Sequence, residues 1–230
     1  MAAVDRAVSI LATFSAAEPV LNLAQLAQAA GLYKSTLLRL IASLIRGEYL
    51  VQREDGKYHV GPACLHLSAI YQRTVQPADV IVPTLRELVA ASGESASFNI
   101  KQRDKRVCLH RVNSPNPISD SVQAGDILEL TRGAGGKVLL AFSGEPGTEF
   151  DAIRRDIVWC SVGERYPDTA AVACPVFKVG NELAGCLTLS GPKTRFDAAS
   201  VASMSKLILA AATELTHKLG GDASLFKAPG

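Results

Sequence analysis

Apolar side chains recur every three or four positions through the first part of the chain, and the polar positions between them are as regular. Val4, Val8, Leu11 and Phe14 fall at helical spacing with Asp5 and Arg6 on the other side, predicting an amphipathic helix that ends near Ala16, before Glu18-Pro19. Asn22 then precedes Leu23, Leu26, Ala27 and Ala30, which predicts a helix of about eight residues, capped by Asn22 and closed at Gly31. From Lys34 to Ile45, Leu37, Leu40, Ile41, Leu44 and Ile45 share one face, leaving Lys34, Ser35, Leu38, Arg39 and Ala42 on the other. The period then shortens: residues alternate from Gln52 to Val60 around Asp55-Gly56, a strong hairpin signal. Three helices followed by a hairpin describe a winged helix-turn-helix.

Pro62, Leu65, Leu67, Ile70 and Tyr71 continue a helical pattern to about Gln76, with Pro77 placing a domain boundary near it. Beyond it the pattern mixes periods. A helix is predicted over Val80–Ala91, strands near Ser95–Lys101 and Arg106–Val112, and a glycine-led helix from about Gly135 to Phe142. Strands over Ala171–Val179 and Leu183–Ser190, a long helix over Phe196–Leu219 and a loose tail from Gly220-Gly221 complete an α+β chain.

Composition narrows the class. With 230 residues, 48% of them apolar and 20% charged, the chain is able to bury two modest cores and is not of disordered type. Uncharged stretches such as Pro19–Tyr33 and Ala7–Ala17 are too short to span a bilayer, and Met1–Arg6 does not open a signal peptide, so a cytoplasmic protein without a membrane segment is expected. Five separated cysteines with no CxxC pair point to reduced core thiols. A net charge of +2 decides nothing about nucleic acid, because a basic footprint is a matter of local distribution.

The sharpest constellation is the run Leu23–Leu40, where an apolar-patterned helix, a glycine turn and a polar-faced helix follow in register. A helix so placed suits a major groove. Ser35, Thr36 and Arg39 offer hydroxyls and a guanidinium for phosphates and guanine edges, Leu38 an apolar contact for a thymine methyl, and Lys34 a phosphate contact. Tyr33 opens this helix, and Arg53 and Lys57 flank the hairpin turn, completing the candidate DNA-binding set.

Other chemistry fares worse. Gly133-Ala134-Gly135-Gly136-Lys137 fails as a P-loop, which needs glycine at Thr131 and a hydroxyl at Val138, and as a dinucleotide fingerprint, which needs glycine at Val138. The four histidines and the cysteines show no metal spacing, so no metal and no cofactor are expected. Cys108 and His110, two apart on a predicted strand, would share a face, leaving a Cys–His enzyme as an alternative.

Val4-Asp5-Arg6-Ala7, Gly31-Leu32 and Lys34-Ser35-Thr36 resemble the N-terminal domain of the IclR family of bacterial transcription regulators. The resemblance continues at Gly136-Lys137, Ala173-Cys174-Pro175-Val176-Phe177 and Leu189-Ser190-Gly191-Pro192. It implies a winged helix-turn-helix over 1–61, a linker helix over 62–77, a GAF-like α/β effector-binding domain over 78–220 and a flexible tail over 221–230. It also implies a homodimer or dimer of dimers on a roughly palindromic double-stranded operator, gated by a small organic acid. By the same resemblance the effector would meet Leu128, Arg132, Ala134, Gly135, Thr169, Ala171, Thr188 and Ser190. Physical reasons support part of that set: a helix start at Gly135 offers amides and a positive dipole end to a carboxylate, Thr188 and Ser190 offer orienting hydroxyls, and Arg132 offers a bidentate clamp. The chain departs from the family pattern at Thr131-Arg132-Gly133 and Ser161-Val162-Gly163-Glu164, so a regulator that has lost its pocket is a further alternative.

Overall fold

Ile10, Leu26, Leu37 and Leu50 have essentially no exposed surface, and they bring the first elements of the chain together. A computed structural model describes residues 3–15, 18–75 and 78–226, and the side chains of 71–75 are left aside. The chain divides between Val75 and Gln76 into two units.

The first unit contains α1 (Ala3–Leu11), α2 (Leu23–Ala30), α3 (Lys34–Arg46), β1 (Leu50–Gln52), β2 (Tyr58–Val60) and α4 (Pro62–Val75). Asn22 caps α2 as expected: its Oδ1 accepts from the amides of Ala24 and Gln25, each at 2.9 Å, while Gln25 Oε1 accepts from the Asn22 amide at 2.9 Å. Gly31 closes α2 with φ +63°, left-handed backbone that a β-carbon disfavours. Leu37, Ile41 and Leu44 seat α3 on the core. The β1–β2 hairpin turns at Gly56 (φ +78°), and Leu21 bridges to Tyr58, tying the α1–α2 connection to the hairpin.

α1 departs from its expected face and length. Ile10, backed by Ala7, Leu11 and Phe14, faces the core, whereas Val4 and Val8 are exposed. The helix ends at Leu11 because Thr13 turns back, its amide and hydroxyl both donating to the Ile10 carbonyl. The expected end at Ala16 and the boundary at residues 76 and 77 lie outside the described residues.

The second unit is one antiparallel sheet of six strands in the order β5-β4-β3-β8-β7-β6. Its strands are β3 (Ser95–Gln102), β4 (Lys105–Val112), β5 (Ile127–Glu129), β6 (Trp159–Val162), β7 (Thr169–Lys178) and β8 (Glu182–Pro192). α5 (Ala78–Ser92) and α8 (Ala198–Lys218) pack on each other and on one face; α6 (Ala134–Phe142), with α7 (Thr148–Asp156) against it, covers the other. The edge strands β5 and β6 and the charged helix α7 carry little periodicity and were not anticipated.

One expectation is corrected here. Residues 220–226 are not a loose tail: Gly220 bridges to Lys178, the Gly221 amide donates to Thr216 O at 2.9 Å, and the buried Phe226 ring lies 5.9 Å from that of Phe177. A single aromatic anchors this stretch, too sparse a signal for periodicity; residues 227–230 lie outside the described ones. Among the described helices α8, at 21 residues and mean hydropathy 1.2, is long and apolar enough to cross a membrane. A search for uncharged runs passes over it because Lys206 and Glu214 interrupt the sequence. Met204, Ile208, Ala212 and Leu215 bury its inner face, as in a core helix.

Candidate nucleic-acid interface and ligand cavity

On α3 the inner residues are fixed by the core, so the outer ones are displayed. Tyr33 is 87% exposed and Leu38 46%. Lys34, Ser35 and Arg39 are also exposed and Thr36 is half-buried, so the anticipated residues form one continuous outer surface. Lys34 and Arg39 have no carboxylate partner among the described residues. The hairpin differs: Asp55 lies 3.5 Å from Arg53 Nε and 3.8 Å from Lys57 Nζ, so one carboxylate partly neutralises both cations. A groove between α1 and α3 gathers Arg6, Arg39 and Arg46. Arg6 was passed over in the sequence because its neighbour across the groove belongs to a different helix.

In the second unit a cavity of about 40 Å³ opens where the start of α6 meets the sheet. Leu128, Ala134, Thr169, Ala171, Thr188 and Ser190 all line it. Gly135 stands at its wall: a β-carbon there would lie 2.7 Å from Arg106 Nη1 and 2.9 Å from Thr188 Oγ1, so a larger residue would have to displace the guanidinium. Arg132 does not enter the cavity. It is exposed, donates from Nε to the Glu164 carbonyl at 3.0 Å and borders a separate outer depression of about 260 Å³ with Glu129, Arg165 and Tyr166.

Three guanidiniums line the cavity, the buried ones of Arg106 and Arg111 and that of the half-buried Arg165. A bulge shifts the β3–β4 register, so Phe98 pairs with His110 but Asn99 with Cys108, leaving Leu109 unpaired. Arg111 pairs with Asp120, side chains 2% and 8% exposed, and also donates from Nε to Asn113 Oδ1 at 2.6 Å. Arg106 is 5% exposed with no carboxylate partner among the described residues, and burial lowers its pKa from the ordinary value. Arg106 Nε and Arg111 Nη1 are buried without acceptors among the described residues. The sequence signal was two arginines in an apolar strand; strict alternation would have put them on opposite faces.

The same bulge separates Cys108 from His110. Partners across a ladder share a face, so Cys108 lies with Asn99 on the cavity side and His110 with Phe98 on the other, against the sequence expectation. Burial pushes the Cys108 thiol up to about 12 and lowers the His110 pKa. This thiol and imidazole are not a nucleophile pair.

The start of α6 is also less open than expected. The Gly133 amide donates to Glu164 Oε2 at 3.1 Å and the Ala134 amide to Ser161 Oγ at 2.8 Å, while Lys137 Nζ reaches Glu164 Oε1 at 3.0 Å. Two of the amides are therefore occupied by residues from the departing segment Ser161–Glu164. Thr188 Oγ1 accepts from Asn99 Nδ2 at 3.2 Å and Ser190 Oγ donates to Asp120 Oδ2 at 2.8 Å. No group of three His, Cys, Asp or Glu residues among the described ones is disposed to hold a metal ion.

Comparison with known proteins follows the same division. The IclR helix-turn-helix domain profile matches residues 3–54, and the profile for the C-terminal part of bacterial IclR transcriptional regulators matches 72–153 and 145–217. The chain is 27% identical to the HTH-type transcriptional regulator BhcR of Paracoccus denitrificans, covering 93% of this chain and 86% of that one. An IclR transcriptional regulator of Alicyclobacillus acidocaldarius superposes with a TM-score of 0.79 at 20% identity, covering 95% of this chain and 98% of that one. An IclR homologue of Microbacterium hydrocarbonoxydans, complexed with 4-hydroxybenzoate, gives a TM-score of 0.79 at 18% identity, covering 95% and 99%.

Proposed function

Since the chain belongs to the IclR family of bacterial transcriptional regulators and carries its helix-turn-helix DNA-binding domain, we propose that a small organic acid, held in the cavity below α6, alters its affinity for operator DNA. Arg106 carries this reading: a buried guanidinium whose Nε has no acceptor and which forms no ion pair among the described residues is costly unless an anion completes it. Bound 4-hydroxybenzoate in the Microbacterium homologue supports an organic-acid effector in the family.

On DNA, α3 enters the major groove. Ser35, Thr36, Leu38 and Arg39 meet base edges, and Tyr33, Lys34, Arg53 and Lys57 meet the phosphates, positioning without reading. Working as a homodimer or a dimer of dimers in the cytoplasm, the protein presents its reading helices to a roughly palindromic site, because two-fold protein symmetry is matched by two-fold DNA symmetry. The acid acts only by its unequal affinity for the DNA-competent and incompetent arrangements, a coupling on the order of 1–3 kcal/mol.

The deciding experiment is an anisotropy titration of the full chain on DNA selected from its own genome, at several salt concentrations, with and without a panel of organic acids. Selective binding that one acid shifts tenfold or more supports the reading. Selective binding indifferent to every acid leaves a DNA-binding protein without this effector, and binding no better than to random DNA refutes the operator.

A further inference from the structure

The helix α8 is held by its inner face alone. Met204, Ile208, Ala212 and Leu215 are buried where it meets the sheet and α5, yet only 22% of its apolar stretch is covered within the described chain. A surface helix of a soluble protein ordinarily turns charge outward on the side away from its core. Here the outward side carries an open groove of about 890 Å³, lined by Leu209, Ala210 and Thr213 of α8 and by Ala223 and Phe226 of the chain that folds back after it. The inner contacts keep α8 in its domain, so whatever fills the groove must come to it.

The charges on the same face are arranged about its middle. Lys206 precedes the exposed Ala210 by four residues and Glu214 follows it by four, so each stands about one turn, roughly 6 Å along the axis, from Ala210. Lys206 has no carboxylate partner among the described residues. Glu214 meets Lys218 at 2.6 Å with both side chains largely exposed, which leaves its carboxylate room for a second cation. Turned end for end about a two-fold axis beside Ala210, this pattern is its own complement: Lys206 of each copy falls beside Glu214 of the other, and Ala210 meets Ala210. Ala210 and Thr213 are small, so two such helices can approach to the close end of the usual range, about 8 Å between axes. An unrelated partner would have to bring a carboxylate to the right height, whereas a second copy brings it by symmetry.

We propose that the outer face of α8 is an interface between copies of this chain, an antiparallel two-fold packing of α8 on α8 centred on Ala210, with a Lys206–Glu214 pair on either side of the axis. This rests on the homo-oligomer in the function proposed above and goes beyond it in naming the surface, the symmetry and the residue on the axis.

The test is sedimentation equilibrium of the full chain with and without charge reversal. Lys206→Glu and Glu214→Lys, both at exposed positions, are each expected to weaken association tenfold or more, because the axis repeats each repulsion. Combined in one chain they are expected to restore most of it. Reversals that leave association unchanged, or a double exchange that restores nothing, overturn the interface and leave the groove to a different occupant, while the homo-oligomer stands; a wild-type chain that stays monomeric overturns both. Oxidative cross-linking reads the axis directly. Ala210→Cys is expected to give a disulfide-linked dimer with oxidised glutathione, above whatever the parent chain forms. Ala202→Cys, also exposed, is expected to add none, since antiparallel packing holds it about 24 Å from its symmetry mate along the helix axes. No added cross-link through Ala210→Cys, or equal cross-linking at both positions, overturns the packing.

Discussion

Arg106 and Arg111 stand five residues apart on β4 and face the same cavity, an arrangement that an unbroken strand forbids and the bulge at Leu109 permits. The pair differs in its compensation, because Arg111 forms an ion pair with Asp120 and Arg106 forms none among the described residues.

Arg106→Met is therefore expected to stabilise the ligand-free protein, by about 1–2 kcal/mol, since a buried unpaired cation gives way to an apolar chain of similar length. The same substitution is expected to abolish the melting shift produced by organic acids. Denaturant titration with and without ligand checks both halves.

Asp55 holds Arg53 and Lys57 at the tip of the hairpin and would stand near the phosphates. Asp55→Asn is expected to tighten binding to specific and random DNA alike and to steepen the salt dependence by about one ion, because two cations are released to the phosphates. Arg39→Ala is expected to cost roughly 1–3 kcal/mol on the operator and much less on random sequence, a contrast that anisotropy titration reads directly.

Asn22 and Gln25 satisfy each other's backbone amides at the start of α2. Asn22→Ala is expected to cost about 1 kcal/mol, and Asn22→Asp to retain most of that. Circular-dichroism melting of the full chain follows the loss.

Burial raises Cys108 from 9.0 to about 12 and Cys186 to about 11. The folded state thus keeps protons that the unfolded chain releases. Their contribution is complete below pH 9.0 and is lost as pH climbs toward 12, with a slope of up to about 1.4 kcal/mol per pH unit for each thiol. Chemical denaturation at stepped alkaline pH is expected to show this decline, and Cys108→Val to flatten it.

Much of the first unit was legible in the chain because its signals are local. Asn22 ahead of an apolar period, Gly31 after it and Asp55-Gly56 between alternating residues each act within a few positions. The cavity was legible only in part: its glycine and hydroxyl walls follow from motif likeness, but its charge does not. Arg132, beside the glycines in sequence, turns outward to Glu164, whereas Arg106, far from them in sequence, reaches Gly135 through the fold. A bulge changes which face a residue occupies without changing any local preference, so alternation alone misassigned His110. The tail was misjudged for a related reason, since Phe226 is held by Phe177, a partner that no spacing announces.

The carboxylate that Glu164 lends to the first turn of α6 acts as a resident counterweight to any acid that arrives. It gives the protein a set-point: an incoming acid must bind beside a helix end already balanced by an internal charge. Sensitivity then becomes adjustable at one position. Replacing Glu164 by glutamine keeps one acceptor for the Gly133 amide, gives up the one for Lys137 and removes the negative charge, which tunes the dose of acid needed for a response without redesigning the walls that decide which acid is recognised.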